Sequence, residues 1–401
     1  MQSLDFDLGT TTLVGFLCDS GMDCAVKTVS KINPQAFFGA DIITRTAFSS
    51  ESKANKVKLC TILGDEIVNM CRELTENTDE PVSMMVMVGN PIIMGSIEEY
   101  SFEEICSNII RVPGIGRFVG GDALAASYVL ERNRNHKNIV LVDIGTNSEI
   151  VLLTDEVKLA TSAAAGPALE GGNISCGVRN GEGAVDYAEL TDTVNGKSII
   201  FHTVGNETKQ VLPNGVCGSG LLTLLECLVK TKAVRKDGYM LSKNEALQEN
   251  VPPKIAACLG EDNRCDINNK GDRFFALTDR IRLTGNDVRN LQLAIAAIRT
   301  GIEMLLEEAK LTASVIDEIC LAGAFGDKIT VDSALALGML PKIDKAKVIQ
   351  SGNLAGIGAC QIAVEPKKVT DVITLKNAIL TVSLAEKEHF RDRFMSFMNL
   401  E

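Results

Sequence analysis

The chain has no Cys-x-x-Cys pair despite 12 cysteines, only 3 histidines, no apolar run approaching the length of a membrane span, and no surplus of basic residues. Each absence removes a class of function. A ferredoxin-type site needs clustered cysteines, and the nearest spacings, Cys18 with Cys24 and Cys258 with Cys265, lack that clustering. His136, His202 and His389 stand far apart in unlike contexts, which argues against a histidine-based metal site. A membrane helix needs roughly 20 predominantly apolar residues, which no segment supplies. The formal charge of −12 argues against nucleic acid or an anionic membrane as the main partner. The amino terminus enters a strand without a signal-peptide pattern, so a cytoplasmic location is expected. In that setting cysteines scattered through apolar segments read as reduced thiols.

What is present is a repeat. Residues 138–153, NIVLVDIGTNSEIVLL, read as a buried strand ending in Asp143, a tight turn at Gly145, Thr146 and Asn147, and a second strand. Residues 4–17, LDFDLGTTTLVGFL, superimpose on it at a constant offset, Asp7 on Asp143, Gly9 on Gly145 and Thr10 on Thr146. A third strand is expected after each, over 24–30 and 157–162. Strand, acid and glycine turn bring backbone N–H groups, a hydroxyl and a carboxylate to one point, which suits a phosphate and its magnesium ion. At 401 residues the chain is long enough for two or three domains, and the repeat predicts two like domains facing each other across a nucleotide cleft. The expected division is 1–135, then 138–365 with an insertion over about 164–282, then a helical segment over 366–401.

Between the repeats, apolar spacing predicts helices beyond Ile43 and over 53–75, a strand over 84–88, a short helix from Pro91 and a small-residue helix over 125–130. In the second half the glycine-rich stretch 163–185 reads as a ligand-lining loop, and 194–211 as a hairpin. An apolar helix is expected over 221–228, and an irregular outer region over 230–282. Thr284 with Asp287 gives an N-cap signal for a long helix. A strand over 316–322 ends in Gly323, Ala324, Phe325 and Gly326; small-residue helix is expected over 353–364 and charged helix over 381–400.

The residues allow a concrete assignment. Gly9, Thr10 and Thr11 hold phosphates from one side, and Gly145, Thr146 and Asn147 from the other. Asp7 and Asp143 meet across the cleft and orient magnesium through its waters. Gly323 and Gly326 leave bare backbone for the adenosine, and Asp122 orients the attacking water or, alternatively, caps the helix after it. The glycines at 215, 218 and 220 serve either the ligand or close helix packing. Cys176 and Cys217, both in glycine-rich loops, are either core residues or ligands.

Taken together, Phe6-Asp7-Leu8-Gly9-Thr10-Thr11-Thr12, Ile32-Asn33-Pro34-Gln35, Phe38-Gly39-Ala40-Asp41, Gly89-Asn90-Pro91, Val142-Asp143-Ile144-Gly145-Thr146-Asn147, Ala165-Gly166-Pro167-Ala168-Leu169-Glu170-Gly171, Val216-Cys217-Gly218-Ser219-Gly220 and Leu321-Ala322-Gly323-Ala324-Phe325-Gly326 resemble the ATPase part of the reductive activators of corrinoid proteins. The terminal run His389 to Phe394, with Met398 and Asn399, is similar to that family's last helix. The resemblance covers nearly the whole chain. It implies an α/β fold of two ribonuclease-H-like, actin-like ATPase domains, with ATP and Mg2+ as cofactors. It places Glu170, Gly218, Ser219, Gly323, Ala324 and Gly326 at the nucleotide. The implied activity is ATP-dependent, one-electron reactivation of a corrinoid protein or corrinoid-dependent methyltransferase system by a homodimer. Such activators commonly carry an iron–sulfur segment before the ATPase part, and here the first phosphate strand begins within a few residues of Met1. The electron is then expected from a separate donor, or from a cluster bridging subunits through cysteines such as Cys176 or Cys217. A small-molecule kinase and a non-enzymatic actin-like scaffold are the rival functions on the same fold.

Overall fold

The computed structural model describes residues 2–19, 25–39, 42–78, 80–194, 196–206, 210–261, 272–326, 328–364 and 368–401. Cys24, Ala40, Asp41 and Cys265 lie outside the described residues. In the first half, β1 (Gln2–Leu8) is buried apart from the half-buried Asp7, and runs antiparallel to β2 (Thr12–Asp19), which pairs antiparallel with β3 (Ala25–Ile32). Two helices follow, α1 (Ile42–Glu51) and α2 (Lys53–Thr75). Ser52 caps α2 by accepting from the Asn55 N–H, and Leu59, Leu63, Ile67, Met70 and Leu74 recur at helical spacing on its buried face. β4 (Val82–Gly89) lies parallel to β1, α3 (Pro91–Ser96) starts at a proline capped by Asn90, β5 (Ile109–Arg111) lies parallel to β4, and α4 (Gly121–Asn133) closes the half. The sheet order is β3-β2-β1-β4-β5.

The second half repeats this plan with β6 (Ile139–Asp143), β7 (Ser148–Leu153) and β8 (Lys158–Ala163). An outer region then intervenes: β9 (Ala184–Thr193), β10 (Gly196–Thr203), β11 (Gly215–Val216), α5 (Gly218–Lys230), α6 (Lys243–Gln248), α7 (Pro253–Ala257), β12 (Leu259–Glu261), β13 (Arg273–Ala276) and β14 (Arg282–Thr284). α8 (Gly285–Glu308) begins at a capping box in which Thr284 and Asp287 each accept the other's backbone N–H. The chain returns to the main sheet with β15 (Glu318–Ala322), α9 (Gly323–Gly326), α10 (Val331–Ala336) and β16 (Val348–Gln350), and ends with α11 (Leu354–Val364), α12 (Lys368–Ala378), β17 (Ile379–Thr381) and α13 (Phe390–Ser396). The six-stranded order is β16-β15-β6-β7-β8-β17. With β17 set aside, it matches the first sheet strand for strand in order and direction.

Three sequence expectations change. The hairpin begins earlier than 194, because Val194 is the fully exposed turn between β9 and β10. The end of the chain is not one helix: Ile379 to Thr381 extend the sheet beside β8, a 3-10 turn follows over Leu384–Glu386, and α-helix resumes at Phe390. The thiols are not all reduced, since Cys18 of β2 and Cys360 of α11 are joined as a disulfide.

Period-two alternation divides the core. Met85 and Met87 of β4 face α2 and α3, whereas Val86 and Val88 face α4 and α11. In β6, Val140 and Val142 join the core under α5 and α8, while Leu141 turns to the same α4 and α11 layer. A middle layer of α4, α11 and α12 is therefore shared by both sheets. Helix α11 carries apolar or small residues around most of its circumference because most of it is covered, with Ile357 exposed and Gln361 half-buried on what remains. Its glycines permit that: a Cβ at Gly356 would meet the Phe16 ring at 2.4 Å, and one at Gly358 the Ala125 carbonyl oxygen at 2.4 Å. Gly358→Ala should destabilise the fold by about 1–3 kcal/mol, because backbone has to move aside. Urea unfolding monitored by circular dichroism checks this.

Candidate functional site

The two repeated turns close on one cavity. Asp7, next to last in β1, sits between Val14 of β2 and Val88 of β4; Asp143, last in β6, sits between Glu149 of β7 and Ala322 of β15. The first turn is held by Gly9 N–H donating to the Thr12 carbonyl at 3.0 Å. The fully buried Asn33 braces it from outside, donating through Nδ2 to the Gly9 carbonyl at 2.9 Å and through its N–H to the Thr11 carbonyl at 3.0 Å. In the second turn Gly166 N–H donates to the Thr146 carbonyl at 2.8 Å, tying the glycine-rich loop to the turn. That loop brings in Glu170, whose carboxylate accepts from Thr11 Oγ1 at 2.8 Å and from Thr146 Oγ1 at 2.7 Å. One side chain thus spans both turns.

Asp7, Gly9, Thr10, Thr11, Asp122, Asp143, Gly145, Thr146, Asn147, Glu170 and Gly323 all line this cavity. Asp122 lies in the first turn of α4 and accepts from the Ala123 N–H at 2.8 Å, so it faces the cavity and supports its helix at once. Gly323 has φ +86°, and a Cβ there would lie 2.3 Å from Asp143 Oδ1, so its bare backbone makes room for that carboxyl. Gly218, Ser219 and Gly326 are not in the lining, and Ala324 belongs to α9 through its backbone. Gly218 packs instead: its Cβ would lie 1.8 Å from the Leu169 carbonyl oxygen, which seats the turn carrying Glu170. Close approach likewise explains Gly215 and Gly220, whose Cβ atoms would meet Val178 and the Val185 carbonyl oxygen. Cys217 is buried with its sulfur 3.4 Å from Ser219 Oγ. Among the described residues, neither Cys217 nor Cys176 joins a ligand cluster.

The sequence left out Glu149, Asn90 and Asn353, all in the lining. Asn353 Nδ2 donates to Asp7 Oδ2 at 2.8 Å from the start of α11. For Glu149 the available signal was an acid inside an otherwise apolar strand; for Asn353 there was none.

Charge governs this cavity. Burial pushes Asp7 up to about 7, with the neighbouring Asp122 adding to the rise and Asn353 opposing it. Burial, then Asp122 and Asp7, raise Asp143 to about 8. Burial raises Asp122 to about 6 against the Ala123 N–H, and it raises Glu149 well above the carboxylate range, helped by Asp122 and Asp143. Crowded acids of this kind favour protonation unless a cation stands among them. All the donors are oxygens and the charge is concentrated, a chemistry that suits a hard divalent ion such as Mg2+.

Comparison with known proteins agrees with this geometry. Residues 137–401 match the family described as the C-terminal domain of RACo, the ASKHA domain, and residues 3–108 match the RACo middle region. The chain belongs to the RACo family. It is 30% identical to the corrinoid activation enzyme RamQ of Eubacterium limosum over 98% of this chain and 70% of that protein. It is 26% identical to the [Co(II) methylated amine-specific corrinoid protein] reductase of Methanosarcina barkeri, over 73% of this chain and 52% of that one. A solved structure, a reductive activator for corrinoid, iron–sulfur protein, superimposes with a TM-score of 0.81 at 25% identity, covering all of this chain and 66% of the other. This RACo-family chain therefore spans about half to 70% of the length of these relatives. It has the expected actin-like ATPase fold, and no helix among its described residues is long and apolar enough to cross a membrane.

The raised carboxyl groups give a pH signature. The native state holds protons that the unfolded chain releases near the ordinary carboxylate value, so stability is full below about pH 4 in respect of these groups. It falls as pH rises through about 6, 7 and 8, where Asp122, Asp7 and Asp143 ionise. The Tm of metal-free protein should decline from pH 5.5 to 8.5. Asp143→Asn should flatten that decline and add about 1–3 kcal/mol at pH 8.5.

Proposed function

We propose that this chain uses ATP with Mg2+ to drive the one-electron reductive activation of a corrinoid protein, or of a corrinoid-dependent methyltransferase system. The observation that carries the nucleotide half is the doubled turn, with Thr11 and Thr146 both on Glu170 and with Asp7 and Asp143 at matching places in matching sheets. Relatives named for corrinoid activation and reduction support the corrinoid half.

Bound between the turns, ATP with its magnesium ion supplies the free energy of phosphoryl transfer. The backbone N–H groups of Thr10 and Thr11 with the Thr10 hydroxyl would bind phosphate oxygens from the first half, and the backbone N–H groups of Gly145, Thr146 and Asn147 from the second, while Gly9 N–H and the Thr11 and Thr146 hydroxyls hold the two turns in shape. Asp7 and Asp143 would hold the magnesium ion, which would offset charge on the phosphates. Asp122, with one oxygen committed to the Ala123 N–H, keeps the other for the attacking water and takes its proton. Glu170 is a positioning residue that sets the distance between the two hydroxyls. Nucleotide helps a cobalt reduction only through unequal affinity for two arrangements of the complex, one of which favours the reduced metal. We assign the electron to a separate iron–sulfur donor, since the chain has no Cys-x-x-Cys pair, and the working unit to a homodimer in the cytoplasm.

The experiment is anaerobic. A purified corrinoid protein in the Co(II) state is mixed with the chain and titanium(III) citrate, and Co(I) is followed by its visible spectrum with and without ATP. Reduction should depend on ATP, and Asp143→Ala should lose at least about 100-fold in both ATP hydrolysis and reduction. Equal Co(I) formation without ATP, or unchanged hydrolysis in Asp143→Ala, contradicts the proposal.

A further inference from the structure

Cys18, in β2, and Cys360, in α11, are joined with their Cα atoms 6.2 Å apart across a sequence separation of 342. The bond ties the first sheet to a helix that arrives from the other end of the chain. Beside it lies Asp5, fully buried, with Oδ2 accepting from Ser3 Oγ at 2.9 Å and Oδ1 without a partner. A carboxyl oxygen and the two sulfurs lie within 4.8 Å of one another. A buried acceptor left without a donor is costly. A thiol S–H is a donor and a disulfide has none. Thiols beside Asp5 offer it an S–H donor that the disulfide lacks, so the local hydrogen bonding differs between the two states.

Helix α11 connects this pair to the cleft. Asn353 precedes the helix, accepts from the Gly356 N–H at 2.7 Å and donates to Asp7 Oδ2 at 2.8 Å. Gly356 against Phe16 and Gly358 against the Ala125 carbonyl leave the helix no slack. Holding Cys360 against Cys18 holds Asn353 against Asp7.

We propose that Cys18 and Cys360 form a redox-active pair, exchanging with external disulfides and dithiols, whose state sets how tightly the cleft holds nucleotide. This rests on the nucleotide function assigned to the cleft. In oxidation the thiolate of Cys360, the more exposed of the two at 7% against 1%, attacks an external disulfide and expels one thiolate. The Cys18 thiolate then attacks the Cys360 sulfur of the mixed disulfide and expels the second. Two protein thiols become one disulfide, one external disulfide becomes two thiols, and the two cysteine protons end on those thiols. A dithiol reverses both steps. Because coupling between sites is reciprocal, tighter nucleotide binding by the joined state means that nucleotide favours the disulfide by the same factor. We expect about tenfold, which is about 30 mV for a two-electron couple. Nucleotide would then be held fast until reducing equivalents open the pair.

The full chain is equilibrated anaerobically in mixtures of oxidised and reduced dithiothreitol, with and without ATP and Mg2+; thiols are trapped by alkylation and read by peptide mass spectrometry. ATP affinity is measured by calorimetry in each state. The 18–360 disulfide should titrate as one two-electron couple, with ATP lowering its midpoint by about 30 mV. The oxidised chain should bind ATP about tenfold more tightly, and Cys360→Ser and Cys18→Ala should each bind as the reduced chain does in both buffers. Equal affinity in both states, with the pair titrating normally, overturns the clamp and leaves the nucleotide site standing. No ATP binding in either state overturns both. A pair that stays reduced throughout, or stoichiometric zinc that Cys360→Ser removes, overturns the redox assignment.

Discussion

Four carboxyl groups, Glu149 buried and Asp7, Asp122 and Asp143 half-buried, line the cavity where the two repeated units meet, and so many like charges resist ionising together there without a cation. This constraint shapes the surroundings. Gly323 lacks a side chain because Asp143 occupies the space, Asn353 is brought across the fold to donate to Asp7, and Asp122 takes the Ala123 N–H in the first turn of its helix. The sheets provide the precision: Asp7, next to last in β1, and Asp143, last in β6, are each flanked on both sides by paired strands.

The two sheets are coupled by what lies between them. Helices α4, α11 and α12 bury one face of each sheet in a single shared core, and Glu170 bridges the turns at the rim. Changing the separation of the turns therefore means repacking that layer, and close-packed layers tend to shift between discrete arrangements rather than deform smoothly. An ATPase that works on a partner protein needs such an element. α11 is the candidate element here, with Asn353 at one end and Cys360 near the other.

Much of this was legible in the sequence because the repeat is local. Asp7 and Asp143, Gly9 and Gly145, Thr10 and Thr146 keep equal spacing; one such stretch is usually an ordinary turn, and it is the repetition in matching context that carries the signal. The Thr284 and Asp287 capping box was equally plain. Glu149 was hidden by geometry: the second hairpin closes one residue sooner than the first, so the residue paired opposite Asp7 is Val14 and the repeat gives no warning. Asn353 reaches Asp7 across a sequence separation of 346, and Cys18 meets Cys360 across 342, which no local pattern encodes. β17 is a strand because the edge of the sheet beside β8 accepts it, not because three residues after a helix demand it. The glycines before α5 carried a true signal for close approach, but what approaches is the Leu169 backbone.

The central claim is that both turns grip one nucleotide. Hydrogen–deuterium exchange of the chain, with and without ATP and Mg2+, reads it most directly at the amides of residues 9–12 and 145–148. Joint slowing of exchange at the two turns, at the same ATP concentration, is the predicted result. Protection of one turn alone, or of neither at saturating ATP, would contradict it.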